Sequence, residues 1–99
     1  MYKDIITYEL AKDVSEEQLL TVAKKIVNSW MKNQKGFIKW EIHANNEGRY
    51  TDIVYWETAE DAKLAEKEML TIPDAGEWYG CYKEGSISSK NLRLIGDFY

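Results

Sequence analysis

The sequence predicts an α+β fold in which a split βαβ unit is used twice, and three observations point to it. A run of β-branched and aromatic residues, Ile53-Val54-Tyr55-Trp56, breaks at Glu57-Thr58 into the alanine-rich stretch Ala59 to Ala65, placing a strand-to-helix junction midway along the chain. A capped amphipathic segment follows an Ile- and Tyr-rich first strand, giving the same junction once before. Between the two helical segments, Asn45-Asn46-Glu47-Gly48 supplies residues tolerant of positive φ and turns one strand back on another. The order strand, helix, strand, strand, helix, short helix, strand is ferredoxin-like, βαββαβ, with a four-stranded antiparallel sheet in a single domain over residues 1–99.

Each element has its own grounds. Tyr2 to Leu10 reads as the first strand. Ser15 opens the first helix with Gln18 three residues on, and Val14 and Leu19 are spaced for a hydrophobic staple. Leu19, Val22, Ala23, Ile26 and Trp30 form one apolar stripe, and Gly36 closes the segment. The second strand, Phe37 to Ala44, alternates Ile38, Trp40, Ile42 and Ala44 against Phe37, Lys39, Glu41 and His43. The third runs from Arg49 to Glu57. Thr58 caps the second helix with Asp61 at the third position, and Ala62, Ala65 and Met69 predict a close approach to the sheet. Pro73 ends it, because the residue before proline is driven out of helical geometry. Asp74 to Gly85 is expected to be a short helix with Asp74 as its cap, and Leu92 to Tyr99 the last strand.

Composition bounds the function. Seventeen acidic against thirteen basic side chains give a net charge of −4, which repels a phosphate backbone, so nucleic acid is excluded as a partner. Lys35-Gly36-Phe37 superficially resembles the start of an RNA-recognition motif, but that motif continues with a second aromatic array on the third strand, and here Lys39 and Trp40 follow on the second. The single Cys81 cannot form an intramolecular disulfide, and Met1 to Leu10 lacks the apolar core of a signal peptide. No apolar run reaches the ~18 residues of a membrane span, so the expectation is a cytoplasmic protein without membrane contact. Aromatics make up 13% of the chain, including four Trp and seven Tyr, enough for an aromatic cavity or a buried subunit interface.

Gly36-Phe37 opening the second strand, and Ile53-Val54-Tyr55-Trp56-Glu57-Thr58 running into Ala59-Glu60-Asp61-Ala62, resemble the dimeric α/β-barrel superfamily, and within it the small proteins grouped with antibiotic-biosynthesis monooxygenases. The resemblance implies two sheets packed face to face in a homodimeric barrel, with a cavity in each subunit between sheet and helices. A sheet with helices on one side leaves its other face bare, which argues for the same pairing on physical grounds. Haem-degrading relatives carry an asparagine on the first strand, a tryptophan near the end of the third and a histidine in the second helix. Trp56 matches the tryptophan, whereas the first strand has no asparagine and Ala59 to Leu70 no histidine.

The candidate bases are His43, the one side chain that titrates near neutrality unperturbed, and Asp52, a carboxylate among Ile53, Val54 and Tyr55 that shares a face with Tyr50, Val54 and Trp56. Trp56, Tyr55, Trp40, Tyr8 and Trp78 are candidates to bind a planar ligand by stacking. Trp78, Tyr79, Cys81 and Tyr82 crowd a segment suited to a lid, with Cys81 read as a packed thiol. No histidine or cysteine pair has metal-ligand spacing, and no metal or cofactor is expected. Together these readings predict a cofactor-independent monooxygenase-like protein acting on a small aromatic or polyketide-like molecule. The alternative is a non-enzymatic dimeric protein that binds a small molecule or serves in stress.

Overall fold

Antiparallel pairing joins four strands in the order β2-β3-β1-β4, with β1 at Tyr2–Tyr8, β2 at Phe37–Ala44, β3 at Tyr50–Trp56 and β4 at Ser88–Arg93. The computed structural model describes residues 1–99, the side chain of Leu70 excepted. Helix α1 (Glu16–Ser29) joins β1 to β2, and α2 (Ala59–Glu68) and α3 (Ala75–Tyr79) lie between β3 and β4. This is the ferredoxin-like arrangement.

Strand alternation sorts the side chains. Tyr2, Asp4, Ile6 and Tyr8 on β1 pair across β3 with Trp56, Val54, Asp52 and Tyr50, and all eight face the helices. There they meet Leu19, Val22 and Ile26 of α1 and Ala62 and Ala65 of α2 in one core. Lys3, Ile5, Thr51, Ile53 and Tyr55 hold the intervening positions and face the other way, outside that core.

Both helix caps form as expected: Ser15 Oγ accepts from the Gln18 N–H (3.1 Å) and Thr58 Oγ1 from the Asp61 N–H (3.1 Å). Five expectations need correction, the first being that α3 ends at Tyr79 rather than reaching Gly85. Helix α1 stops at Ser29 rather than running to Gly36, because Trp30 leaves helical geometry (φ −141°) and a 3-10 turn, Met31–Asn33, follows. Asp74 does not cap α3 with its side chain: its backbone is left-handed (φ 68°), and its carboxylate lies 3.8 Å from Lys25 Nζ.

Phe37 joins the helix-facing side, opposite Trp56, instead of the face of Lys39, Glu41 and His43. A bulge at Ile38 inserts a residue without a partner and resets the phase. Finally, the last strand is Ser88–Arg93, not Leu92–Tyr99. The free edge of β1 recruits the backbone of a polar segment, which propensity rules undervalue because ladder bonds need no side chains. After Leu94, whose N–H reaches the Met1 carbonyl (2.9 Å), Ile95, Phe98 and Tyr99 are exposed.

Candidate functional site

A cavity of about 250 Å³ lies between the sheet and α2. Its floor is Asp4 and Ile6 of β1, Val54 and Trp56 of β3, and Ser89 and Asn91 of β4. Its roof is Ala62, Ala65, Glu66 and Met69, and Trp30, Met31 and Trp78 close one side. Ala62 and Ala65 bring α2 onto the core, yet their small side chains also leave the space beneath the helix that larger residues would fill.

The polar end of the cavity is built around Asp4. Trp56 donates its indole N–H to Asp4 Oδ2 (3.2 Å). The Asn91 amide, turned as its neighbours require, donates to Asp4 Oδ1 (2.9 Å) and to the Lys90 carbonyl (3.1 Å), and accepts from the Tyr2 hydroxyl (2.9 Å). Burial raises the pKa of Asp4; the Trp56 hydrogen bond opposes this and the negative charge of Glu66 adds to it. The result is a carboxylate fixed by donors on both oxygens, at the edge of an apolar chamber, and less acidic than usual. A wider groove of about 300 Å³ beside α1, lined by Leu20, Val27, Trp40 and Ile42, is more open and offers only Lys24 and Asn28 as polar side chains. The cavity around Asp4 has the converging polar groups that mark a binding site.

The expected site residues divide among three places. Trp56 and Trp78 line the cavity. Asp52 and Tyr8 are buried beside it in a network of their own: the Tyr8 hydroxyl donates to Asp52 Oδ1 (2.6 Å), the Tyr82 hydroxyl to Oδ2 (3.0 Å), and the Trp78 indole N–H to the Tyr82 oxygen (2.8 Å). Trp40 packs against Trp78 with ring centres 5.4 Å apart. Its indole N–H is buried without a hydrogen bond among the described residues, although it lies near enough to favour the Asp52 carboxylate. Burial raises the Asp52 pKa against the pull of the two tyrosine hydroxyls, and burial together with Asp52 raises those of Tyr8 and Tyr82. Cys81 is fully buried and its thiol pKa is raised by burial, so it is a packed thiol and not an activated one.

His43 and Tyr55 lie on the opposite face. Glu41 gathers both: Tyr55 donates to it (2.8 Å), His43 Nε2 lies 3.2 Å away and Lys39 2.9 Å away. Lys39, Tyr55 and His43, in that order of strength, pull the Glu41 pKa down to about 2. His43 and Asp52 therefore do not converge on the cavity, and neither lines it. The register sets His43 against Thr51 and Ile42 against Asp52, so strand alternation sends the two candidate bases to opposite sides of the sheet.

Asp4, Glu66 and Asn91 were not among the expected site residues. Asp4 carried a readable signal, since it falls in phase with Tyr2, Ile6 and Tyr8 on a strand face otherwise destined for the core. Asn91 did not, because it precedes the stretch that reads as the last strand. Glu66 resembles any solvated helix residue. Among the described residues no three His, Cys, Asp or Glu side chains converge to hold a metal ion, and no helix is long and apolar enough to cross a membrane.

No protein-family model matches the sequence, and no curated protein does. Solved structures do match the fold. A variant of SnoaB, a cofactor-independent oxygenase from Streptomyces nogalater, superposes with a TM-score of 0.75 at 10% identity over 97% of this chain and 94% of its own. The monooxygenase ActVA-Orf6 of Streptomyces coelicolor, solved with nanaomycin D, gives 0.73 at 14% identity over 99% of this chain and 90% of its own. MhuD with two manganese protoporphyrin IX molecules per active site gives 0.74 at 17% identity, covering 100% and 99%. A dimeric ferredoxin-like protein from an uncultured marine organism gives 0.63 at 14% identity, covering 100% and 99%. The chain thus has the ferredoxin-like fold of the antibiotic-biosynthesis-monooxygenase-like proteins.

Proposed function

We propose that the cavity beneath α2 binds a compact aromatic molecule and that the protein oxidises it as a cofactor-independent monooxygenase, in a homodimer closed by the open face of the sheet. The observation that carries this reading is the Asp4 carboxylate held by Trp56 and Asn91 at the polar end of a largely apolar, tryptophan-walled chamber. Such a carboxylate accepts the proton of a phenolic hydroxyl, and its raised pKa improves it as a base near neutrality. The electron-rich anion then reduces dioxygen, so that a phenol and dioxygen give a quinone and water. Trp56 and Trp78 hold the ring beside the base. His43 and Asp52, the bases expected from the sequence, have no place in this step, since neither lines the cavity.

The test is an oxygen electrode with 1,4-naphthohydroquinone and related phenols. Protein-dependent oxygen uptake that falls at least about a hundredfold in Asp4→Asn is expected for a lost general base. Uptake unchanged by that substitution removes Asp4 from the mechanism. Saturable binding without oxygen uptake favours the second reading, a protein that sequesters its ligand. The double engagement of Asp4 by Trp56 and Asn91 speaks for that alternative, because it leaves the carboxylate less free to exchange a proton.

A further inference from the structure

The cavity carries an unbalanced charge. Two carboxylates, Asp4 and Glu66, line it, and no lysine, arginine or histidine does. Its other polar side chains, Ser89 and Asn91, are neutral, and Asn91 is already committed to Asp4, Tyr2 and the Lys90 carbonyl. The nearby lysine of β1, Lys3, faces the opposite side of the sheet, where it lies 5.2 Å from the Tyr55 ring. Three indoles, those of Trp30, Trp56 and Trp78, enclose the same space. The Trp56 N–H is bound to Asp4 and the Trp78 N–H to Tyr82, so neither offers the cavity a free donor and both meet it with carbon.

Carboxylates beside tryptophan surfaces are the complement of an organic cation. The carboxylates attract the charge and the ring quadrupoles add to the attraction where water is excluded. A ligand that arrives as an anion would meet two like charges, whereas a phenolate formed in place arises only as Asp4 takes up its proton; Arg93, on the same face of β4, stands opposite Tyr2 and does not line the cavity. We infer that the ligand of this cavity is a compact aromatic amine, bound with its ammonium group nearest Glu66 and within the field of Asp4, its ring among the tryptophans and its phenolic hydroxyl left to Asp4. This inference rests on the small-molecule reading above and narrows it: among the phenols to be assayed, those that carry an ammonium group should be preferred over neutral ones.

The test uses three probes of nearly one shape, 2-phenylethylammonium, 2-phenylethanol and phenylacetate, titrated into the full chain near neutral pH and low salt and followed by tryptophan fluorescence and amide chemical shifts. The cation is expected to bind about tenfold or more tightly than the alcohol, the anion more weakly than either, and added salt to erode only the cation's advantage. The ratio of cation to alcohol affinity should collapse towards one in Glu66→Gln, and further when Asp4→Asn is added. Salt titration of the unmodified protein gives the same information if a variant fails to fold. Alcohol or phenylacetate binding as tightly as the cation overturns the inference while leaving the cavity a ligand site. Failure of all three to bind overturns the ligand site itself.

Discussion

Asp4 and Asp52 share a face of the sheet and a sign of perturbation, and the consequence is measurable. Burial raises both pKa values. In the unfolded chain these groups titrate in the ordinary aspartate range, while in the fold they hold their protons more tightly. Their contribution to stability is therefore fully present below that range and is lost as pH rises through the raised values. Glu41 works in the opposite sense: its depressed value contributes stability above the ordinary glutamate range that is lost as pH falls towards 2. Glu41 lies at the surface, where such pairs contribute little, so the aspartates should dominate. Urea midpoints measured across the acidic-to-neutral window should fall as pH rises, and fall less steeply in Asp4→Asn. A midpoint that rises throughout the window would show that burial is not what governs these two carboxyls.

At the scale of elements, the turn into β2 depends on one glycine. Gly36 has φ +78°, and a Cβ there would collide with the Asp61 side chain at the start of α2, while the Gly36 carbonyl accepts from the Glu57 N–H (2.8 Å). Gly48 in the hairpin has φ +80° but open space around it. Gly36→Ala should destabilise by roughly 2 to 4 kcal/mol, combining backbone strain and a clash, and Gly48→Ala by only about 1 kcal/mol. Equal losses in chemical unfolding would show that Asp61 yields freely. The same contrast explains what the sequence made legible. The caps at Ser15 and Thr58, the hairpin and the strand-to-helix junction are local signals, and the structure bears them out, whereas the cap expected of Asp74 does not form. The bulge at Ile38, the recruitment of Ser88–Arg93 to an edge and the meeting of Asp4 with Asn91 depend on partners distant in the chain. Trp56 and Trp78 could be named because tryptophans in those elements are conspicuous. The carboxylates of the cavity could not be told from the other acidic residues until the fold set them beneath α2.

Seen whole, the molecule has one face completed and one open. Ile5 and Ile53 sit opposite each other on the uncovered face, with Leu92 and Tyr55 flanking Lys3 beside them. In the homodimer proposed above, these residues meet their symmetry mates. Placing a charge at the centre of such an isologous contact introduces it twice, so Ile53→Lys should convert dimer to monomer by sedimentation while far-UV circular dichroism stays unchanged. A variant that remains dimeric would move the interface elsewhere.

Ile38 has no partner across the ladder, and on either side of it Phe37 and Lys39 already stand in correct alternation, Phe37 opposite Trp56 and Lys39 opposite Tyr55. Removing a residue elsewhere in β2 would turn the strand over from that point on, sending Trp40 and Ile42 into solvent or His43 into the core. At Ile38 alone the chain can shorten by one and keep every other side chain of the strand on its present side. This strand therefore carries a spare position, and a descendant protein could lose it without redesigning the cavity.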